Sequence, residues 1–140
     1  PKPGQKILEI GAGSGYQSAI LSDIIGKKGK IITIERLKGL ADFAKANLRR
    51  CGCDNATVIE GDGSLGYEQE APYDRIIVTA SAPDVPDTLI KQLKVGGRMI
   101  IPVGESMMLI EKISKAKTES IFMGHYAFVP LIGKYGHQRR

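Results

Sequence analysis

The stretch KILEIGAGSG, residues 6–15, decides the fold of this 140-residue chain. Its first half, Lys6–Ile10, is a short aliphatic run, which predicts a buried parallel strand. Its second half has three glycines at alternate positions, and glycine lets a backbone turn tightly and approach a ligand closely. Tyr16, Ile20 and Ile24 then share one face of a predicted helix. The stretch therefore predicts a strand, a ligand-binding turn and a helix whose free N–H groups face the ligand.

The rest of the chain continues this alternation of strands and helices. Strands are predicted at Lys30–Glu35, Ala56–Glu60, Asp74–Thr79 and Arg98–Val103, and helices at Tyr16–Ile25, 37–48 and Pro86–Leu93, with a turn at Gly96-Gly97. Such alternation predicts a parallel sheet with right-handed crossovers. Two last strands, Ser106–Ile113 and Ser120–Phe128, have no helix between them and are expected to pair antiparallel. The expected fold class is α/β, with a mostly parallel sheet and an antiparallel C-terminal hairpin, in one domain spanning residues 1–140.

The composition is that of an ordinary globular domain, with 42% hydrophobic and 25% charged residues. The net charge of +5 is spread along the chain, which favours a solvated basic surface over a nucleic-acid partner. No signal peptide or membrane span is recognised. Cys51 and Cys53 lack the partners of a zinc site and are expected to be reduced, inert thiols at a helix end. We expect a cytoplasmic monomer with no metal, nucleic-acid or membrane partner.

Three carboxylates are predicted to meet at one edge of the sheet. Glu35 ends the second strand, about twenty residues past the glycine loop, where an acidic side chain can accept both ribose hydroxyls of a nucleoside. Asp62, in a Gly-Asp-Gly turn after the third strand, can accept the exocyclic amine of adenine. Glu9 lies beside the glycine loop. Because ligands bind at the carboxyl edge of a parallel sheet, the three indicate a nucleoside site.

A nicotinamide dinucleotide is the rival ligand for this loop. Its fingerprint, G-x-G-x-x-G, needs a third glycine for close helix packing, and Tyr16 stands at that place. A carboxylate such as Glu9 would repel a pyrophosphate, but it suits a ligand that carries an amino group and a sulfonium. These features favour S-adenosylmethionine as the cofactor.

The loop after the fourth strand, TASAP at residues 79–83, indicates which acceptor is methylated. It lacks the Asp/Asn-Pro-Pro-aromatic motif of enzymes that methylate the amines of bases. Cytosine C5 chemistry needs a cysteine nucleophile, whereas both cysteines are predicted on the wrong edge of the sheet. Base flipping calls for aromatic stacking partners, and the chain has no Trp. A nucleic-acid acceptor is therefore disfavoured.

Several longer segments resemble one family. The segments VIEGDGSLG (58–66), APYDRIIVTA (71–80), LIKQLK (89–94) and IPVG (101–104) strongly resemble protein-L-isoaspartate O-methyltransferases. The segment FVPLIGKYG, residues 128–136, resembles their archaeal branch. The resemblance implies a Rossmann-like class I fold that binds S-adenosylmethionine. It also implies methylation of the free carboxyl of L-isoaspartyl residues in damaged proteins, as a repair step.

The resemblance also implies site residues. We expect cofactor contacts at Glu9, Gly11, Ala12, Gly13, Gly15, Glu35, Arg36, Asp62 and Gly63. We expect contacts with the isoaspartyl peptide at Ala80, Ser81, Ala82, Val129, Pro130 and Leu131. No catalytic base is expected, because a carboxylate with a pKa near 4 is already ionised at neutral pH. His125 is interpreted as a strand residue, while His137 lies near the tail that in relatives closes on the cofactor.

One family feature has no match in this sequence. Family members carry an N-terminal segment with a Gln-Thr-Ile-Ser-like motif that covers the cofactor, whereas this sequence starts at Pro1. We therefore expect these residues alone to bind the cofactor more weakly than a full-length relative and to transfer methyl slowly or not at all. Two alternatives stay open: a class I methyltransferase for a small-molecule carboxylate or hydroxyl, and a cofactor-binding core without turnover.

Overall fold

Seven strands form one sheet in the computed structural model, which describes residues 1–138. The elements are β1 (Lys6–Ile10), α1 (Tyr16–Ile25), β2 (Lys30–Glu35), α2 (Lys38–Arg50), β3 (Ala56–Glu60), β4 (Tyr73–Val78), α3 (Asp87–Gln92), β5 (Leu93–Val103), β6 (Ser106–Lys112) and β7 (Thr118–His125). The strand order is β3-β2-β1-β4-β5-β6-β7. The first five strands pair in parallel, and β6 and β7 are antiparallel. The predicted fold class is confirmed.

The strand order places a ligand-binding edge at β1. The chain runs from β1 outward through β2 to β3, and then returns to add β4 on the other side of β1. In register, Ile10 at the end of β1 lies beside Ile34 of β2 and Val78 of β4. Ligands of open parallel sheets bind where the strand order reverses, outside the carboxyl ends. The loops that follow these three strands therefore face one another.

The central strands are buried on both faces, which explains their unbroken aliphatic sequences. On one face of β1, Ile7 shares a buried cluster with Leu21 and Ile25 of α1. On the other face, Leu8 belongs to the larger cluster that includes Leu89 of α3. Each such aliphatic side chain contributes about 1.5–3 kcal/mol when it is removed from water. The core therefore fixes the sheet between two helical layers and holds the loops at its carboxyl edge.

The apolar face predicted for α1 is turned to solvent. Tyr16, Ile20 and Ile24 do share one face, but they are 74%, 44% and 42% exposed. The buried face instead carries Ser18 and Ser22 together with the aliphatic residues of the core.

The reason for this orientation lies in long-range hydrogen bonds of the two serines. The Ser18 hydroxyl donates to the buried carboxylate of Glu9, and the Ser22 hydroxyl donates to the side chain of Asn55. The Asn55 amide in turn donates to the carbonyl of Gly26 at 2.9 Å, at the end of α1. Small polar side chains let the helix approach the sheet closely, and a hydropathy pattern does not detect them.

Element boundaries differ from the prediction mainly near the C-terminus. The predicted turn at Gly96-Gly97 lies inside β5, which begins at Leu93, and the register with β4 shifts between Tyr73 and Arg75. The last strand, β7, ends at His125 rather than at Phe128. Within residues 1–138, no helix is long and apolar enough to cross a membrane.

Candidate functional site

A cleft of about 490 Å³ opens at the carboxyl ends of β1, β2 and β4. Its volume lies in the range of small-molecule sites. The lining residues are Ile10, Gly11, Gly13, Ile34, Glu35, Arg36, Leu37, Leu40, Gly63, Thr79, Ala80, Val129, Pro130, Leu131 and Ile132. The glycine loop and Glu35 thus line the same cleft as residues 129–132, which are distant in sequence.

The three glycines of the loop serve different purposes, although all have positive φ. At Gly11, a Cβ atom would collide with the hydroxyl of Thr79. At Gly15, which precedes α1, it would lie 3.3 Å from the carbonyl oxygen of Ala44. At Gly13, with φ of 53°, a Cβ atom would meet nothing within 4 Å. Gly13 therefore faces open space in the cleft, while the other two glycines permit close packing.

Glu35 connects the glycine loop to the second strand. Its Oε1 accepts a hydrogen bond from the N–H of Gly13 at 3.0 Å, and its Oε2 accepts one from the N–H of Leu37 at 3.1 Å. The side chain is mostly buried, yet it forms part of the cleft wall. A carboxylate has about four acceptor positions, so both oxygens keep capacity for further donors such as ribose hydroxyls.

Glu9 lies beneath the glycine loop and does not line the cleft. Its Oε1 accepts hydrogen bonds from the hydroxyls of Ser18 and Thr33, the latter at 2.6 Å. Its Oε2 is buried and has no hydrogen-bond partner among residues 1–138. Burial raises the pKa of the Glu9 carboxyl above its ordinary value, and the hydrogen bonds from Ser18 and Thr33 oppose this. Burying an oxygen without a hydrogen-bond partner costs free energy. A hydrogen-bond donor or a cation close to Oε2 would offset that cost.

Asp62 lies at the rim of the cleft, in the turn after β3. Its Oδ1 accepts hydrogen bonds from the N–H and the hydroxyl of Ser64, at 2.9 and 2.7 Å. Its Oδ2 accepts one from the N–H of Lys134 at 2.8 Å. The neighbouring Gly63 lines the cleft, and a Cβ atom there would collide with the side chain of Ile10. The turn is therefore packed tightly against the end of β1.

The predicted peptide-binding residues are held together by backbone pairing. Residues Val129–Leu131 are called the strip below. Pro130, at the centre of the strip, forms an isolated parallel β-bridge with Ser81. The N–H of Ser81 donates to the carbonyl of Val129, and the N–H of Leu131 donates to the carbonyl of Ser81, both at 2.7 Å. The Ser81 hydroxyl donates a hydrogen bond to the carbonyl of Gly104 at 2.6 Å. Ser81 therefore positions the strip through its backbone.

The structure brings most of the predicted site residues into this cleft. Those that line it are Gly11, Gly13, Glu35, Arg36, Gly63, Ala80, Val129, Pro130 and Leu131. The predicted site residues that do not line it are Glu9, Ala12, Gly15, Asp62, Ser81 and Ala82. Ala12 packs against α2, and Ala82 pairs with Val103.

Sequence reasoning missed the apolar part of the cleft wall. Leu37 and Leu40, at the start of α2, are exposed although they lie on the cleft. Both leucines follow Glu35 within five positions, but the sequence predicted them only as part of a helix over residues 37–48. Thr79 was also missed as a lining residue; its hydroxyl donates to the carbonyl of Ile10 at 2.9 Å and so ties β4 to the start of the glycine loop.

The remaining reactive residues lie elsewhere. His125 ends β7 and packs its ring against Phe122, so its interpretation as a strand residue is confirmed. Cys51 and Cys53 are free thiols just after α2. They line a larger groove of about 910 Å³ at the opposite edge of the sheet, which contains none of the predicted site residues. Within residues 1–138, no cluster of His, Cys, Asp and Glu could hold a metal ion.

A match to a protein-family model identifies the family of this chain. The model of protein-L-isoaspartate(D-aspartate) O-methyltransferases matches residues 2–136, which include the glycine loop, Glu35, Asp62 and the strip. The chain belongs to this family. The resemblance predicted from the sequence is confirmed.

Relatives within the protein-L-isoaspartate O-methyltransferase family are similar along the whole chain. The enzyme of Methanopyrus kandleri is 51% identical over 143 residues, which cover 99% of this chain and 63% of the relative. The enzyme of Methanosarcina mazei is 50% identical and is matched over 97% of this chain and 57% of the relative. The chain thus spans about three-fifths of the length of these relatives.

Solved structures of the family have the same fold. A protein-L-isoaspartate O-methyltransferase structure superposes with a TM-score of 0.91 at 33% identity, covering 96% of this chain and 44% of that chain. A Plasmodium falciparum relative, described as a putative member of the family in complex with S-adenosyl-L-homocysteine, gives 0.80 at 28% identity and covers 94% and 67%. The fold is therefore that of class I S-adenosylmethionine-dependent methyltransferases.

Proposed function

We propose that this chain is the cofactor-binding domain, residues 1–140, of a protein-L-isoaspartate O-methyltransferase. It binds S-adenosylmethionine and transfers the methyl group to the free carboxyl of L-isoaspartyl residues in damaged proteins. The observation that carries the proposal is the composition of one cleft. Glu35 and the glycine loop form one wall, and the strip Val129–Leu131 forms another. Membership of the family supports the same conclusion.

The cleft has the groups that a sulfonium nucleoside needs. Glu35 presents two carboxylate oxygens, each with spare acceptor capacity, for the ribose hydroxyls. Asp62 stands at the rim, where it can accept the adenine amine. Gly13 leaves the space that the ligand needs. The unpartnered Oε2 of Glu9 is the acidic group available to the cationic end, acting from beneath the loop.

The reaction requires the protein to align the acceptor carboxylate with the methyl group, and it does not require acid–base catalysis. When bound, S-adenosylmethionine supplies a methyl group activated by its sulfonium. The acceptor carboxylate is ionised at neutral pH, so no residue has to remove a proton from it. The strip and Ala80 are placed to hold the acceptor and to exclude water from it. No histidine or cysteine lines the cleft in the described part of the chain.

The setting of the reaction is part of the proposal. The partners are isoaspartyl-containing proteins and peptides, and the domain acts as a cytoplasmic monomer without a nucleic-acid or membrane partner. The spread of positive charge along the sequence and the reduced cysteines support this setting.

Two measurements on this chain test the proposal. Calorimetric titration with S-adenosylhomocysteine should show binding at one site. In a labelled-methyl assay, the transfer that occurs, however slow, should go to an isoaspartyl peptide and not to the matched aspartyl peptide or to a panel of small carboxylic acids and alcohols. Transfer to the small molecules instead would assign the cleft to a different acceptor. Binding without transfer to any acceptor would leave only the cofactor-binding half of the proposal.

A further inference from the structure

The strip continues into a closed loop, residues Ile132–His137, called the strap below. The N–H of His137 donates to the carbonyl of Leu131 at 2.6 Å, and the N–H of Gly133 donates to the carbonyl of His137 at 3.2 Å. The strap therefore leaves the strip at Leu131 and returns to the same residue. Both ends of the strap are therefore joined to the end of the strip.

The middle of the strap is bonded to the turn after β3. The N–H of Lys134 donates to Oδ2 of Asp62 at 2.8 Å, and the N–H of Tyr135 donates to the hydroxyl of Ser64 at 3.0 Å. The contact is tight, because a Cβ atom at Gly133 would overlap the Asp62 carboxylate and lie 2.6 Å from the Ser64 hydroxyl. Residues about seventy positions apart thus share one hydrogen-bonded cluster.

Ser64 stands at the centre of this cluster. Its side chain is 0% exposed, and its hydroxyl donates to Oδ1 of Asp62 at 2.7 Å while it accepts from the N–H of Tyr135. The hydroxyl donates its one proton to Asp62, and one of its lone pairs accepts the N–H of Tyr135 in the strap. It therefore connects the carboxylate at the rim of the cofactor cleft to the loop that carries the strip.

We propose that Ser64 is a positioning residue that couples cofactor binding to the placement of the peptide-binding strip. The inference rests on the proposed function, because it takes Asp62 as the acceptor for adenine and the strip as a wall of the acceptor site. A ligand that orders Asp62 also orders the Ser64 hydroxyl, the strap and Leu131. Two sites that share one ordered cluster are coupled energetically, without any change of fold.

A purely structural role for Ser64 needs a matched control. Thr88 provides it, because its hydroxyl donates to the backbone carbonyl of Ser64 at 2.6 Å and touches neither Asp62 nor the strap. At the same turn, Thr88→Val removes one hydroxyl hydrogen bond, and Ser64→Ala removes the two that the Ser64 hydroxyl makes with Asp62 and Tyr135. Only Ser64→Ala breaks the connection between Asp62 and Tyr135.

Amide hydrogen exchange at Leu131, with and without S-adenosylhomocysteine, measures the coupling. In the unmodified chain and in Thr88→Val, saturating S-adenosylhomocysteine should slow exchange at Leu131 about fivefold or more, the lower end of ordinary coupling between sites. In Ser64→Ala the ligand should still bind, but the slowing should fall to less than about twofold. Calorimetry on the same samples establishes that each variant binds the ligand.

A second pair of variants tests the same connection from the solvent side. Tyr135→Pro removes the N–H that donates to the hydroxyl of Ser64, whereas Tyr135→Ala keeps it, and residue 135 is exposed. Tyr135→Pro should lose the slowing at Leu131, and Tyr135→Ala should keep it. This pair decides the matter if Ser64→Ala does not fold.

The outcomes separate this inference from the proposed function. Slowing that persists in Ser64→Ala or Tyr135→Pro would overturn the role of Ser64 and leave the proposed function in place. So would an unmodified chain that binds the ligand without slowing at Leu131. An unmodified chain that does not bind S-adenosylhomocysteine would overturn the proposed function, and the inference with it.

Discussion

The carboxylate of Glu35 and the N–H of Gly13, 22 residues apart, are joined by a hydrogen bond of 3.0 Å. This bond closes the glycine loop over the end of β2. It also fixes the carboxylate at the cleft wall before any ligand is present. Preorganisation of this kind lowers the cost of binding, because the side chain is already ordered.

Glu35→Ala should weaken binding of S-adenosylhomocysteine by about 1.5–3 kcal/mol, the usual worth of charge-assisted hydrogen bonds. Calorimetric titration measures the change. Glu60→Ala is the matched control, because Glu60 is the register partner of Glu35 at the end of β3 and is exposed. The control should bind as the unmodified chain does. Equal affinities for the two variants would contradict the placement of Glu35 at the ribose.

Gly13→Val should abolish cofactor binding and leave a folded chain. The valine side chain would occupy the open space of the cleft, while its positive φ costs on the order of 1–3 kcal/mol of stability. Gly52→Val is the control, since Gly52 also has positive φ and open space but lies at the opposite edge of the sheet. Circular dichroism and ligand titration are needed for both variants. Retained binding in Gly13→Val would mean that this glycine serves the backbone alone.

Glu9→Gln should become more stable relative to the unmodified chain as the pH rises. Burial raises the pKa of the Glu9 carboxyl in the folded state above 4.5, so the stability that this group contributes is present below about pH 4.5 and is lost as the pH rises through the raised value. Glutamine does not ionise and avoids this loss. Urea unfolding of both proteins from about pH 4 to about pH 8 measures the difference in the free energy of unfolding.

The matched control for Glu9 is Glu60→Gln. Glu60 is exposed at the end of β3, so the same substitution there replaces a carboxylate that is not buried. A difference for Glu9→Gln that stays constant with pH would show that burial does not disfavour the ionised form of Glu9.

Lys112→Met should destabilise the fold and spare the cofactor site. The ammonium of Lys112 is buried and donates to the carbonyls of Ile90 and Leu93, both at 2.8 Å, at the end of α3. Leaving these carbonyls without a donor should cost about 2–3 kcal/mol. Lys94→Met, which removes an exposed ion pair with Asp74, should cost less than about 1 kcal/mol.

Urea unfolding and ligand titration of the two lysine variants complete this test. Both variants should bind S-adenosylhomocysteine normally wherever they are folded, because neither lysine lines the cleft. A loss of affinity in folded Lys112→Met would show that Lys112 affects the cleft although it does not line it.

Most of the architecture could be predicted because its signals are local. An aliphatic run bounded by glycine predicts a buried strand wherever it occurs, and five such runs alternate with helical segments. Glu35 could be placed at the cleft for the same reason, since it ends a strand whose neighbours were already assigned. The boundary errors arose where local signals conflicted, as at Gly96-Gly97, where pairing with β4 continues past a turn-forming pair.

The sequence by itself determined the individual strands and helices, the glycine loop and the carboxylates that follow the strands. Periodicity, turn residues and charge are patterns over a few positions, so they can be recognised from the sequence alone. The tertiary structure alone decided which face of α1 is buried, that Glu9 lies behind the loop with one oxygen unpartnered, and that Asp62 bonds to Lys134, 72 residues away. These features depend on which distant groups packing brings within hydrogen-bonding distance, and a buried polar group takes whichever partner the fold places beside it.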